Sequence, residues 1–463
     1  MIRFTALSVC ALWLLLMFAI SAARLAGQGR DSALLVYGLW SDDGFGLAVN
    51  DVVAGVELRL ANAPIPLSYS LFTSKRYLAF QRLDQRNLSD LLLWDGVSIR
   101  NLSNTPDAVE SGGKWSGNGQ LAFTSCSRDY NHCDLLVWDG TTTSNLTSTV
   151  ELTVNEYMWS DAGDLLFSVC DSNYRYCDVL RWDGETVLNL TNSFDSRIPA
   201  IMPSSGGELA FRSCTPDENM CDVLVWDGET VFNITNSPNV NDLTPVWNND
   251  GRLAWEASEN GTNTDLLVWD GSEVRNLTNT PTLSEAVPFW SADGQIAFYA
   301  ADSSGRRDLL LWDGATIQNI SNTPNANEDA IVWGINGQLT FTSCDANGTC
   351  DLMLWGGAAV QNLTNTPTLN EQYYIWNGDG RLVIRSCDTR QICDLLVWNG
   401  TAVSNLTQTP NADEFPVAWN DDGNLLFYAC TSNICDIMLW DGMATHNLTN
   451  TPARNEGAAA WIP

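Results

Sequence analysis

The sequence is dominated by a tandem repeat of about 43 residues. A block close to Asp-Leu-Leu-Val-Trp-Asp-Gly occurs nine times, and its tryptophans are spaced by 44 (Trp94 to Trp138) down to 42 (Trp398 to Trp440) residues. Such a period is typical of architectures in which each unit buries its apolar face only against neighbouring units. The nine tryptophans are Trp94, Trp138, Trp182, Trp226, Trp269, Trp312, Trp355, Trp398 and Trp440.

Two further phrases recur in every period. A segment of the form Asn-Leu-Thr-Asn-Thr-Pro, or a relative of it, follows the block, and a phrase close to Trp-Ser-x-Asp-Gly-x-Leu-Ala-Phe comes next. The Asp-Gly and Asn-Gly pairs favour tight hairpins, and Leu-Leu-Val-Trp is apolar on both faces, as in a strand buried on both sides. Each period therefore predicts four short strands, the size of one β-propeller blade. The second tryptophans are Trp115, Trp159, Trp247, Trp290, Trp333, Trp376, Trp419 and Trp461, with Pro203 and Phe72 at this position in two other repeats.

One repeat resembles the WD-repeat-like propeller repeat of TolB-type proteins. The similarity is carried by residues 290–298 (WSADGQIAF), 308–314 (DLLLWDG) and 319–321 (NIS), and it extends over essentially everything after the first 32 residues. The resemblance implies a propeller without the separate α/β domain of TolB, so the Tol–Pal role does not carry over. It identifies a fold and no activity, because such repeats occur in binding proteins, hydrolase-associated propellers and lyases.

The two ends of the chain together predict one blade. Residues 33–37, 45–51 and 56–60 align with the second, third and fourth strands of a repeat, but their own innermost strand is missing. Residues 458–461 supply a spare innermost strand, and sharing it removes an unpaired sheet edge. We therefore expect an all-β fold, a β-propeller of four-stranded blades in one closed ring of about ten blades. The alternatives are two five-bladed rings, or eight to nine blades.

The amino terminus predicts export. Residues 4–23 are apolar, lie between Arg3 and Arg24, and end in Ser-Ala-Ala. Such a segment is a signal peptide cleaved after Ala23 or an uncleaved membrane anchor. We assign residues 1–23 to this leader, 24–32 to a short linker and 33–463 to the propeller. Contact with a membrane is expected only through an uncleaved leader.

Apart from Cys10 in the leader, the cysteines form six close pairs. Each pair flanks the loop between the second and third strands, where two antiparallel strands come within disulfide range. Metal binding is a weak alternative, because the pairs have no matching pair nearby and the chain has only 2 His. Disulfides would place the protein outside the cytoplasm, as a secreted, periplasmic or cell-surface protein. The pairs are Cys126 and Cys133, Cys170 and Cys177, Cys214 and Cys221, Cys344 and Cys350, Cys387 and Cys393, and Cys430 and Cys435.

The chain is strongly acidic, and some of its Asp and Glu residues recur at fixed positions of the repeat. A formal net charge of −32 excludes general nucleic-acid binding. An acid lies five residues before the second tryptophan in seven repeats, which predicts an acidic ring for Ca²⁺ or a basic partner. In the alternative interpretation, each acid caps its own inter-blade loop by accepting backbone N–H bonds. No cofactor is predicted, with Ca²⁺ as the alternative. The seven acids are Glu110, Asp242, Glu285, Glu328, Glu371, Glu414 and Glu456.

The remaining repeated residues predict structural roles. The Asp before each Leu-Leu-Val-Trp run (as at Asp134) and the Asp of Trp-Asp-Gly (as at Asp139) are expected to satisfy turns. The tryptophans are expected in the core. Three repeats depart from the pattern, and an asymmetric ligand site is expected there. The departures are Arg197 with Pro203, residues 355–357, and the basic group Lys75, Arg76, Arg82 and Arg86.

The sequence predicts an exported, non-enzymatic scaffold that binds protein or carbohydrate on one propeller face at the cell envelope. No Gly-x-Ser-x-Gly nucleophile motif occurs. Because acids abound, a glycoside hydrolase or lyase acting on extracellular polysaccharide is one alternative. A structural component of the cell surface is the other.

Overall fold

The computed structural model describes residues 34–41, 44–51, 56–63, 71–74, 77–83, 86, 88–148, 151–192, 196–215, 217, 219–259, 263–323, 325–409, 411–432, 434–450 and 455–462. Its regular elements are all β-strands, and these form ten sheets. The fold is therefore an all-β, ten-bladed β-propeller, and eight or nine blades are excluded. The leader, the linker and Cys10 lie outside the described residues. In the part of the chain described here, no helix could span a membrane.

Each sheet is antiparallel, and blades are numbered from the amino terminus. The innermost strands of blades 1 to 10 are Asn455–Ile462 (β41), Leu71–Thr73 (β4), Val109–Trp115 (β8), Leu152–Trp159 (β12), Arg197–Pro203 (β16), Val240–Asp242 with Val246–Trp247 (β20, β21), Ser284–Trp290 (β25), Asn327–Trp333 (β29), Asn370–Trp376 (β33) and Asp413–Trp419 (β37). The second strands, in the same order, are Leu34–Ser41 (β1), Leu78–Leu83 (β5), Leu121–Cys126 (β9), Leu165–Asp171 (β13), Leu209–Cys214 (β17), Leu253–Glu259 (β22), Ile296–Ala301 (β26), Leu339–Cys344 (β30), Leu382–Cys387 (β34) and Leu425–Thr431 (β38).

The outer half of each blade is a longer strand followed by a short edge strand. The third strands are Gly44–Asp51 (β2), Ser89–Trp94 (β6), Cys133–Trp138 (β10), Cys177–Trp182 (β14), Cys221–Trp226 (β18), Thr264–Trp269 (β23), Arg307–Trp312 (β27), Cys350–Trp355 (β31), Cys393–Trp398 (β35) and Ile434–Trp440 (β39). The fourth strands are Val56–Ala63 (β3), Ile99–Asn101 (β7), Thr143–Asn145 (β11), Val187–Asn189 (β15), Val231–Asn233 (β19), Val274–Asn276 (β24), Ile317–Asn319 (β28), Val360–Asn362 (β32), Val403–Asn405 (β36) and Thr445–Asn447 (β40).

The strands belong to two compact units. The first unit comprises residues 1–62 and 368–463 and contains blades 1, 9 and 10. In it, β41 from the carboxy terminus pairs with β1, with Trp461 opposite Leu35. This is the strand exchange expected from the sequence. Two separate five-bladed rings would instead draw the innermost strand of blade 1 from the fifth repeat.

The second unit, residues 63–367, contains blades 2 to 8. Its cores form between consecutive blades: Leu135 and Val137 of blade 3 pack with Leu165 and Phe167 of blade 4, and all four side chains are buried. This contact explains why Leu-Leu-Val-Trp is apolar on both faces, since each face meets a neighbouring sheet.

Blade 2 corrects one detail of the sequence alignment. Thr73, not Phe72, pairs with the first residue of the second strand, Leu78. The turn here is one residue shorter than in blade 3, because Ser74 N donates to Tyr77 O whereas Ser116 N donates to Gln120 O. The ring of Tyr77, at the end of this turn, stacks on Trp115 of blade 3, with ring centroids 6.0 Å apart.

Candidate functional site

The seven repeated acids lie on the innermost strands, and the structure buries them. Glu110 and Glu328 are 0% exposed, and Glu456, the most exposed of the seven, is 3% exposed. Each pairs across the ladder with a residue of the second strand, as Glu110 does with Ser125. Their side chains therefore sit within the blades and present no carboxylate surface to solvent.

Side-chain hydroxyls donate to most of these carboxylates, where backbone N–H groups were expected. The Thr280 hydroxyl donates to Oε1 of Glu285 at 2.6 Å, and the hydroxyls of Thr105 and Ser125 both donate to Oε1 of Glu110. The threonine belongs to the Thr-Pro pair five residues before the acid. The threonine bond ties the inter-blade connection to the innermost strand at Glu110, Glu285, Glu328 and Glu414, which is a structural role.

Burial raises the pKa of these carboxyl groups because it penalises the charged form. The pKa of Asp242 rises to about 6 and that of Glu414 to about 7. The pKa values of Glu110, Glu285 and Glu328 are raised for the same reason, and one carboxylate oxygen of each has no hydrogen-bond partner among the described residues. Their burial closes these acids to a polymeric substrate.

The arrangement does not gather the acids into a metal site. Each of the seven belongs to a different blade. Among the described residues, no group of three His, Cys, Asp or Glu side chains could hold a metal ion. A Ca²⁺ ion or basic partner at the acidic ring stays a prediction, and the burial of the acids favours the structural alternative.

The two other repeated aspartates serve turns within a blade. Asp134 accepts from the Asn145 amide at 2.8 Å and from the Thr147 hydroxyl at 2.9 Å, so the Asn-Leu-Thr segment is fastened to the third strand. Asp139 accepts the backbone N–H groups of Thr141 and Thr142, both at 2.8 Å. These bonds lower the pKa of Asp139. The same contacts recur in other repeats. The repetition of these aspartates is therefore explained by their role in turns, and no bound ligand is needed to account for it.

The tryptophans pack within blades and form hydrogen bonds between neighbouring blades. Within blade 3, Trp115 and Trp138 pack edge to face with centroids 6.0 Å apart. Trp159 Nε1 donates to Lys114 O of the preceding blade at 2.9 Å, and Trp290 Nε1 donates to Val246 O at 3.0 Å. The tryptophans are core residues here, as the period predicts.

All six cysteine pairs are disulfide-bonded. The pairs are Cys126–Cys133, Cys170–Cys177, Cys214–Cys221, Cys344–Cys350, Cys387–Cys393 and Cys430–Cys435. The two cysteines of each pair lie directly opposite each other at the end of the second and the start of the third strand. This confirms the predicted pairing and indicates a non-reducing, extracytoplasmic environment.

The three departures from the repeat fall in three different blades. In blade 2, Arg82 pairs with Asp90 and Arg86 pairs with Asp107, each at 3.3 Å. In blade 5, Pro203 takes the tryptophan position opposite Leu209, with Arg197 at the other end of the same strand. The glycines of residues 355–357 follow the third strand of blade 8, and Lys75 and Arg76 lie outside the described residues.

A position that the repeated phrases did not single out makes polar contacts to the next blade. It is the residue after Leu-Ala-Phe in the second strand, and it varies while its neighbours are repeated. Glu256 accepts the Val287 N–H of the next blade at 2.6 Å, and Arg385 Nε donates to Glu414 O at 2.8 Å. Variation within a constant repeat is the signal that would have found this position.

Two half-buried carboxylates of the second unit, Glu156 and Glu256, have raised pKa values. Burial raises the pKa of Glu156, and the nearby Lys114 ammonium only partly offsets this. Glu156 accepts the Ile201 N–H at 3.1 Å, while Lys114 Nζ donates to Tyr157 O at 2.6 Å. Burial raises the pKa of Glu256 as well. Such groups can act as general acids if a substrate reaches them.

Comparisons with known proteins do not identify an activity. No protein-family model and no curated protein matches the chain. Among solved structures, TolB of Acinetobacter baumannii is 18% identical, with a TM-score of 0.30 over 67% of this chain and 82% of TolB. The propeller domain of the Trilobed protease of Pyrococcus furiosus is 13% identical, with a TM-score of 0.36 over 66% of this chain and 98% of that domain. Porphyromonas gingivalis dipeptidyl peptidase 4 is 12% identical, with a TM-score of 0.48 over 76% of this chain and 64% of that enzyme.

The chain is thus a disulfide-bonded β-propeller protein, and its class rests on its own ten four-stranded blades. TolB and propeller-bearing peptidases are its structural neighbours.

Proposed function

We propose that this protein is an exported, non-enzymatic β-propeller that binds a protein or carbohydrate ligand at the cell envelope. The observation that carries the proposal is the contrast between constant blades and variable loops. The repeated acids and tryptophans are used inside the blades, whereas the six disulfide-closed loops differ from one another in sequence. A rigid framework that presents variable loops is a common design for binding.

Placement at the envelope rests on two observations of different kinds. The disulfides suit a secreted, periplasmic or cell-surface protein, and the apolar leader of the sequence suits export. We further infer that the repeat belongs to the TolB-like group, on its Trp-Ser-x-Asp-Gly-x-Leu-Ala-Phe and Asp-Leu-Leu-Val-Trp-Asp-Gly phrases. A purely structural surface component is the interpretation that remains if no ligand binds.

The proposal is tested by binding measurements on the full exported chain. Immobilised protein is titrated with neutral and uronate-containing oligosaccharides and, separately, with fractionated proteins from the native envelope. We expect saturable binding of one ligand class. Absence of saturable binding in both arms would contradict a binding role and support a structural one.

An enzymatic alternative is supported by Glu156 and Glu256, because raised carboxyl pKa values suit a general acid in glycoside or polysaccharide cleavage. It predicts release of new reducing ends or unsaturated products from a polysaccharide panel. Glu156→Gln or Glu256→Gln would abolish this release, whereas Glu185→Gln, which alters an exposed turn acid, would not. Turnover with this pattern replaces the binding proposal.

A further inference from the structure

The disulfide-closed loops of blades 3 and 4 differ from the other loops in carrying aromatic side chains. The loop from Cys126 to Cys133 contains Tyr130, and the loop from Cys170 to Cys177 contains Tyr174 and Tyr176. The side chain of Tyr130 is 55% exposed and that of Tyr176 is 39% exposed. Core packing does not account for these exposed rings.

The backbone of Tyr130 adopts a conformation that favours glycine. It adopts a φ of 57°, in the left-handed region that side chains with a Cβ rarely occupy. Its N–H donates to Ser127 O at 2.9 Å, which closes a tight turn. The equivalent turns of blades 7 and 8 place Gly305 and Gly348 at this position, each with a φ of 81°. Glycine adopts this conformation without the steric cost that a Cβ brings.

Packing offsets this strain in blade 4 but not in blade 3. Tyr174 has a φ of 56°, and its ring packs on a core cluster that includes Cys170 and Ile198. Tyr130 occupies the same turn position and leaves more than half of its side chain in water. The ring of Tyr130 is therefore open to a ligand, whereas that of Tyr174 is used in the core.

The positive and negative side chains in and beside these two loops are close to balanced in number. Arg128 and Arg86 share Asp107, at 3.4 Å and 3.3 Å. Asp129 accepts from Ser127 and Asn131 within its own loop. The backbone N–H of Arg175 is held by Asp171 at 2.7 Å. The surface therefore combines aromatic faces with hydrogen-bonding groups near charge balance.

From this geometry we infer that the loops of blades 3 and 4 form a carbohydrate-binding surface for a neutral oligosaccharide, with Tyr130 and Tyr176 as stacking platforms. Tyrosine offers a rigid amphipathic face with few rotatable bonds, and the disulfides limit the ordering that binding requires. The charge balance of the loops favours a neutral sugar chain over a uronate polymer, which the net charge of −32 also repels. The inference rests on the proposed binding function and names its ligand class and site.

The test uses the full exported chain and titration calorimetry with cellohexaose, mannohexaose, chitohexaose and trigalacturonate. Wild type is expected to bind at least one neutral hexasaccharide and to bind trigalacturonate more weakly. Tyr130→Gly removes the ring and suits the turn, so it should keep the melting temperature and weaken binding at least about ten-fold. Tyr176→Ser should weaken binding similarly.

The matched control is Gln391→Gly. Gln391 occupies the same turn in blade 9 with a φ of 61° and carries no aromatic ring. Its replacement should leave affinity unchanged. Neutral-sugar binding that survives Tyr130→Gly and Tyr176→Ser would overturn this site while leaving the scaffold function intact. Absence of any binding to the sugars, with saturable binding of an envelope protein, would overturn the carbohydrate assignment alone.

Discussion

At the scale of single residues, a buried acid couples the fold to pH. The pKa of Glu414 is raised to about 7 in the folded chain, well above the value of about 4.3 expected once unfolded. A raised carboxyl pKa stabilises the folded state fully below the unfolded pKa, and this stabilisation is lost as pH rises through the folded pKa. Asp242 acts in the same sense, with a pKa of about 6.

We therefore predict that stability falls between about pH 4 and pH 7, by a few kcal/mol for Glu414 alone. Glu414→Gln mimics the protonated acid and should reduce the difference in melting temperature between pH 5 and pH 8. The measurement is differential scanning calorimetry, with the exposed-acid variant Glu185→Gln as the control. An undiminished difference in the Glu414 variant would show that this carboxyl does not carry the effect.

The same burial leads to a prediction about calcium. Because the seven acids are enclosed within separate blades, adding Ca²⁺ should not raise the melting temperature, and EDTA should not lower it. The experiment is a thermal shift at millimolar Ca²⁺, with Mg²⁺ as the ionic control. A Ca²⁺-specific increase would restore the acidic ring as a metal site.

The hydrogen bonds of the buried acids could not be predicted from the sequence. The spacing of Glu285 before Trp290 was visible, and so was Thr280 five residues earlier. Their hydrogen bond was not predictable, because it depends on the crossover loop folding back onto the innermost strand. Position in the repeat therefore indicated which acids share a role, but burial decided what that role is.

At the scale of elements, the hairpin between the second and third strands is the unit that the disulfides stabilise. Replacing Cys126 and Cys133 by serine should cost about 2 kcal/mol of unfolding free energy, because the cross-link restricts the conformational freedom of the unfolded chain. Equilibrium denaturation under non-reducing conditions measures this. A loss near zero would mean that the hairpin is held by its ladder alone.

Blade 7 offers the converse experiment. Ala301 and Arg307 occupy the positions that Cys344 and Cys350 hold in blade 8, directly opposite in the ladder. The double variant Ala301→Cys, Arg307→Cys should form a seventh disulfide, detectable by the mass of a non-reduced peptide. Two free thiols in the oxidised protein would contradict the equivalence of these hairpins.

Strand number and order were predictable because the repeat copies the same phrases in each blade. The position of Phe72 was not, because a turn one residue shorter than its relatives moves the pairing to Thr73. The bulge in the innermost strand of blade 7, where Val287 has a φ of 57°, could not be predicted from the sequence either. The N–H of Val287 donates there to Glu256, which lies on the second strand of the preceding blade. Local phrases define elements, whereas contacts between blades set the details.

At the scale of the whole chain, its two ends meet in one sheet. Ending the chain before Asn455 would leave the inner edge of β1 unpaired and remove Trp461 from its core cluster. We expect a strongly reduced melting temperature and aggregation through the open edge. Trp461→Phe, which removes one hydrogen bond to Ala418 O, should cost only about 1 kcal/mol. Equal melting temperatures for the truncated and full chains would contradict this closure.

The central claim is that this propeller holds a ligand without changing it. The most direct measurement is mass spectrometry of a saturating oligosaccharide or protein ligand, recovered after prolonged incubation with the full exported chain. The account predicts that the ligand is recovered intact, with its original mass and in stoichiometric amount. Recovery of shorter, hydrated or unsaturated products, absent after incubation with the Glu156→Gln or Glu256→Gln variant, would contradict it and establish an enzyme.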